Sequence, residues 1–163
     1  MKPLAFLLPV LAGFLLTSSA TLAEDTAEEE ESAPANPYLV TATRILVQSG
    51  LTPLPQDAKE MQCYAWSGLS AGIYAAFTLK KPAFEAYLAP YAGMERASPI
   101  PRQLLAPPNS AAPWFGPGGI ADGTVFFRGR ISRGAPELFR LYADPENLKI
   151  FLYYTWNNKR IYP

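Results

Sequence analysis

The sequence predicts an α+β fold: a single antiparallel sheet of about five strands, with one or two helices packed on a face. Three observations carry this expectation. Five segments read as strands, around 61–66, 72–79, 124–131, 137–143 and 148–156, the first two with apolar side chains alternating at period two. Two other segments carry helical spacing, one before the first strand pair and one after it. Turn residues between neighbouring strands, at 67–71 and 144–147, leave room only for hairpins. The element order is helix, two strands, helix, three strands, with no internal repeat and no length for a second domain.

Residues 1–23 read as a secretory signal. Lys2 supplies the positive start, Leu4 to Leu16 form an uncharged run, and Thr21-Leu22-Ala23 places small side chains before a cut near Ala23. The run is about 13 residues, short of the roughly 18–20 that cross a bilayer. No transmembrane segment is therefore expected in the mature chain, which would be periplasmic or secreted. Residues 24–36 follow as an acidic leader: Glu24, Asp25 and Glu28 to Glu31 hold six acids and no base, without apolar periodicity. Residues 37–163 form the folded domain, with 13 Lys and Arg against 8 Asp and Glu.

Pro37 to Gly50 is helical in pattern. Pro37 suits a first turn, Leu39, Thr43, Leu46 and Val47 can share a face, and Gly50 is a natural stop. Pro53 and Pro55 make 51–57 a connector. In the second strand Ile73, Ala75, Phe77 and Leu79 fall on one face. Pro82 opens a short helix whose stripe is Phe84, Tyr87, Leu88 and Tyr91, ended by Pro90 and Gly93. Residues 95–119 hold six prolines and are expected to be a loop, too proline-rich for a central strand. Asp144-Pro145-Glu146-Asn147 is type I hairpin chemistry, with Asn147 able to take positive φ.

Composition closes several kinds of chemistry. The chain has no histidine, which removes Ser-His and Cys-His nucleophiles and His-ligated metals within it. A single cysteine, Cys63, excludes a disulfide framework and a thiolate-only zinc site. It is read as a small buried hydrophobe, with pairing between chains as the alternative. Fourteen basic and fourteen acidic residues leave zero net charge, unlike a nucleic-acid binder. No cofactor or metal is expected.

Four constellations remain. Gly68-Leu69-Ser70-Ala71-Gly72 is a literal G-x-S-x-G, but a strand pattern follows it, and Lys80 lies about 27 Å along that strand at ~3.3 Å per residue. It is read as turn chemistry. Gly116-Pro117-Gly118-Gly119 could form a backbone nest for an anion, with Trp114 and Phe115 just ahead either capping the core or gripping a ligand. Arg128, Arg130, Arg133 and Arg140 are the densest basic group and, on one sheet face, would suit a phosphate or an acidic glycan. The final strand, with Tyr153, Tyr154 and Trp156, is apolar on both faces, so either helices and the long loop cover both, or part of it meets another protein. The carboxylates are scattered, and no catalytic pair stands out.

Leu54-Pro55-x-x-Ala58, Tyr64, Trp66-Ser67-Gly68, Phe77, Pro82, Phe84-Glu85-x-x-Leu88 and Pro113-Trp114-Phe115 together resemble small exported bacterial proteins of unassigned function. The resemblance covers most of 54–156 and implies an export-compartment α+β domain, with no catalytic residues to carry over. The function expected is a non-enzymatic envelope protein that binds another protein through the final hairpin and the Trp114 loop. The alternatives are an anionic ligand or glycan on the arginine face, and a histidine-free hydrolase.

Overall fold

The computed structural model describes residues 36–132 and 135–157. The expected signal and leader, up to residue 35, and Arg133 lie outside the described residues. Over the described residues the fold is α+β: one open antiparallel sheet of six strands and two α-helices.

Helix α1 (Pro37–Gln48) starts and stops where local chemistry dictates. The Asn36 side-chain oxygen accepts from the Tyr38 backbone N–H at 3.0 Å, and Pro37 occupies the first turn, where its missing N–H costs nothing. At the other end Gly50 takes φ +67°, and two bonds close the terminus: Leu51 N–H to the Leu46 carbonyl (2.9 Å) and Gly50 N–H to that of Val47 (3.1 Å). This is a Schellman motif, and its two apolar partners, Leu46 and Leu51, are both buried in one core. The buried stripe is Ala42, Ile45 and Leu46. The stripe read from the sequence is therefore rotated: Thr43 and Val47 point to solvent.

Strands β1 (Lys59–Trp66) and β2 (Ser70–Thr78) form a hairpin. Helix α2 (Lys81–Leu88) follows and tightens into a 3₁₀ turn at Ala89–Tyr91, where Pro90 cannot continue the α-helical bonding. Strand β3 (Glu95–Ala97) lies inside the stretch expected to be loop throughout. Three residues, two of them charged, carry no period, so pairing with β4 alone reveals this sixth strand. Strands β4 (Thr124–Ser132), β5 (Ala135–Asp144) and β6 (Lys149–Asn157) complete the sheet in the order β1-β2-β6-β5-β4-β3. In the β5–β6 turn the Asp144 carboxylate accepts from the Glu146 and Asn147 N–H groups at 3.1 and 3.2 Å. The positive φ falls on Leu148, at +52°, rather than on Asn147.

The final strand is apolar on both faces because it is central and both faces are covered. Phe77, Phe139, Leu141, Ile150, Leu152 and Tyr154 pack against α1 and α2. Tyr74, Ala76, Val125, Tyr142, Phe151 and Tyr153 lie on the other face, under the proline-rich segment 98–123. That segment binds through its carbonyls. Tyr142 donates to Leu104 O at 2.7 Å, Arg140 to Leu105 O at 2.6 Å, and Tyr74 to Pro107 O at 3.0 Å. Prolines carry no N–H, so a proline-rich cover has more acceptors than donors, and the sheet below supplies the difference.

Candidate functional site

The residues singled out in the sequence do not converge on one surface. Phe115 is a plug: its ring meets Tyr74, Phe151 and Tyr142 edge-on, at centroid distances of 5.0, 5.5 and 6.2 Å. Trp114 packs against it at 6.1 Å, so this pair anchors the loop to the sheet. Gly116–Gly119 closes a 3₁₀ turn in which Gly119 and Ile120 N–H groups face the turn's own carbonyls, at 3.3 and 3.4 Å. Those donors are engaged within the turn rather than gathered as an anion nest.

The arginines divide between the faces. Arg128 and Arg130 lie on the helix-covered face and pair with Glu137 at 2.8 and 3.1 Å. Glu137 is 2% exposed, and the two guanidiniums are its ion-pair partners. Arg140 stands on the opposite face, 5.8 Å over the Tyr153 ring, with its charge directed at the loop carbonyl. Odd–even parity along β5, paired Arg128↔Phe139 but Phe127↔Arg140, prevents the three from sharing a face. The single arginine face expected from the sequence is not formed.

Tyr153 and Tyr154 are split by the same parity. Tyr153 is buried beneath the loop, whereas Tyr154 faces α1 and accepts from the Ser49 hydroxyl at 2.7 Å. Burial, chiefly, pushes the Tyr154 hydroxyl above the ordinary tyrosine range, with Glu137 adding to it and Ser49, Arg130 and Arg128 opposing. Trp156 follows Tyr154 on that face, half-buried.

Two hollows adjoin α1. The first, about 240 Å³, lies between the second half of α1, the β1–β2 turn and the end of β6. Its lining includes Ser49, Tyr154, Trp156 and Gln48, together with Arg44, which donates to the Ser67 hydroxyl at 3.3 Å. The second is a mostly apolar groove of about 600 Å³ beside α1, whose lining includes Leu39, Val40, Val47, Leu54, Pro55 and Met61 together with Arg44. Val40 is 73% exposed and Val47 59%. Neither hollow was anticipated. Val40 and Val47, seven residues apart and off the buried stripe, are the signal that could have pointed to the groove. Arg44 and Ser67 come together only by folding.

The G-x-S-x-G segment is a hairpin turn. Ser70 opens β2, and its hydroxyl accepts from the Trp66 indole at 3.3 Å. Gly72 is required there because a Cβ would run into the Trp66 ring lying over it. Cys63 is buried on β1, and desolvation pushes its thiol up to about 12. Glu60 is engaged by Thr78 at 3.2 Å and Asp144 by its turn, which gives each a structural role. Among the described residues no three His, Cys, Asp or Glu side chains gather as metal ligands, and no helix is long and apolar enough to cross a membrane. Comparison with protein-family models, with curated proteins and with solved structures gives no match, so no relative lends this chain a site.

Proposed function

We propose that the chain is an exported, non-enzymatic binding protein of the cell envelope, and that its partner is another protein, seated in the groove beside α1. The observation that carries the reading is the exposure of Val40 and Val47 along a groove whose lining includes Leu39, Leu54, Pro55 and Met61 beside the polar Thr43 and Gln56. The two valines are two turns apart, about 10 Å at ~1.5 Å per residue, which matches the spacing of anchors on an amphipathic helix. The excess of 13 bases over 8 acids beyond residue 36, with Arg44 in the groove lining, favours a partner helix flanked by acids. The surface differs from the final hairpin expected from the sequence, whose Tyr153 and Tyr154 are buried.

The test is affinity capture from an envelope extract with the tagged chain and with Val40→Glu/Val47→Glu, at low and about 0.5 M salt. The expected result is a stoichiometric protein that survives high salt and is lost with the variant. Equal capture by both chains, or no protein in either, would overturn the reading. Both valines are exposed, so the variant should melt with the parent chain.

A further inference from the structure

The smaller hollow has a different chemistry from the groove, and it points to a ligand of a different class. Its lining carries polar groups, Arg44, Gln48 and Ser67 with the hydrogen-bonded pair Ser49–Tyr154, among the apolar Ile45 and Ala71. Trp156 adds an indole to that lining. Its volume of about 240 Å³ is below the roughly 300–1,000 Å³ of sites for drug-sized ligands, so it has room for one ring. The local charge is positive. Arg130 reaches the same corner, donating to the Ser49 carbonyl at 3.5 Å, and Arg128 lies beside it. Among the described residues the carboxylate that pairs with these arginines is Glu137, shared by Arg128 and Arg130.

We infer that this cleft binds a sugar ring bearing a carboxylate, the unit of an acidic glycan. An indole edge or face suits the C–H face of a pyranose, serine hydroxyls and the Gln48 amide suit its hydroxyls, and a guanidinium suits a carboxylate in a planar fork. Inorganic phosphate would use the arginine but would have no use for the indole. The assignment replaces Arg140 with Arg44. It is independent of the α1 groove, apart from Arg44 lining both.

The experiment is calorimetric titration of the whole chain with glucuronate and with an oligogalacturonate, against glucose and inorganic phosphate as controls. Uronate is expected to bind, to weaken at least tenfold in Arg44→Ala, and to weaken again when salt is raised to about 0.5 M. Glucose and phosphate should bind at least tenfold more weakly than uronate. A Trp156→Phe chain should lose most of any fluorescence change that uronate produces in the parent. Tighter binding of the oligomer identifies a glycan chain as the source, and equal binding a free sugar acid; both support the site. Absence of uronate binding, unchanged affinity in Arg44→Ala, or phosphate binding as tightly as uronate would each overturn it. Arg44 is exposed on α1, so Arg44→Ala should keep the parent's circular dichroism and melting temperature.

Discussion

The two faces of the sheet are covered by different materials, and the side chains beneath them differ accordingly. Helices satisfy their own backbone groups, so the face under α1 and α2 can be built from Phe77, Phe139, Leu141, Ile150 and Leu152 with little polar content. The loop at 98–123 has no such internal ladder, and its prolines remove donors. The face beneath it contributes Tyr74, Arg140 and Tyr142, each donating to a loop carbonyl. One face is therefore held chiefly by shape and burial, the other by shape plus a set of directed donors. The layer that covers a strand decides which residues that strand can use, even where both faces are equally dry.

If the comparison is right, the faces should fail in different ways. Phe139 is 1% exposed and stacks on Tyr91 at 5.3 Å. Phe139→Ala should destabilise the whole domain by about 3–5 kcal/mol in urea unfolding, as a cavity in a helix-covered core does. The Arg128–Glu137–Arg130 cluster on that face gives a second test. In Arg128→Ala/Arg130→Ala the buried Glu137 carboxylate would lose both partners, for a loss of about 3 kcal/mol. Adding Glu137→Gln should restore part of it, because a neutral amide tolerates burial better; no recovery would mean the arginines act through packing alone.

Tyr142→Phe should cost less, about 1–3 kcal/mol, since it keeps the ring and removes the hydroxyl that donates to Leu104 O. The loss should be local, with the 98–123 segment exchanging its amides faster or being cut sooner by a protease while the strands hold. A loss spread evenly over the domain would break the comparison.

Alkaline pH supplies the smallest and broadest test. Burial raises the hydroxyls of Tyr74, Tyr142 and Tyr153 under the loop, and of Tyr87 and Tyr154 under the helices; that of Tyr142 is pushed up to about 12. A tyrosine raised on folding keeps its proton longer in the native state than in the unfolded chain. Its contribution is complete below the unfolded value of about 10 and is lost as pH climbs from there toward 12. Cys63 acts in the same direction, starting from its ordinary value of 9.0. With no histidine in the chain, the unfolding midpoint should be flat from about pH 6 to 8 and fall above 10. A transition near pH 6.5 would contradict this.

Much of the fold is legible locally. Asn36-Pro37 and Gly50-Leu51 mark the ends of α1 through caps whose chemistry spans only a few residues. Apolar runs, alternating or continuous, and the turns between them locate β1, β2, β4, β5 and β6 within two residues at each end, and Asp144-Pro145 marks the last turn. Strand β3 is not legible, because Glu95-Arg96-Ala97 has neither period nor β-branched residues and exists only through its pairing with β4. The candidate sites are less legible still. Arg44 and Ser67 are 23 positions apart and Ser49 and Tyr154 are 105 apart, and nothing local links them.

The sequence alone determined the identity and order of the main elements, the absence of imidazole chemistry, and the apolar character of both faces of β6. Tertiary structure decided the rest: that β6 sits between β2 and β5, that Arg128 and Arg130 turn to the helices while Arg140 turns to the loop, and that the hollows open beside α1. The physical reason is one of range. Capping, turn chemistry and side-chain alternation act over a few bonds and can be read from neighbours. Which layer covers a given face depends on how strands distant in sequence close into one sheet, and alternation says only that successive residues face opposite ways.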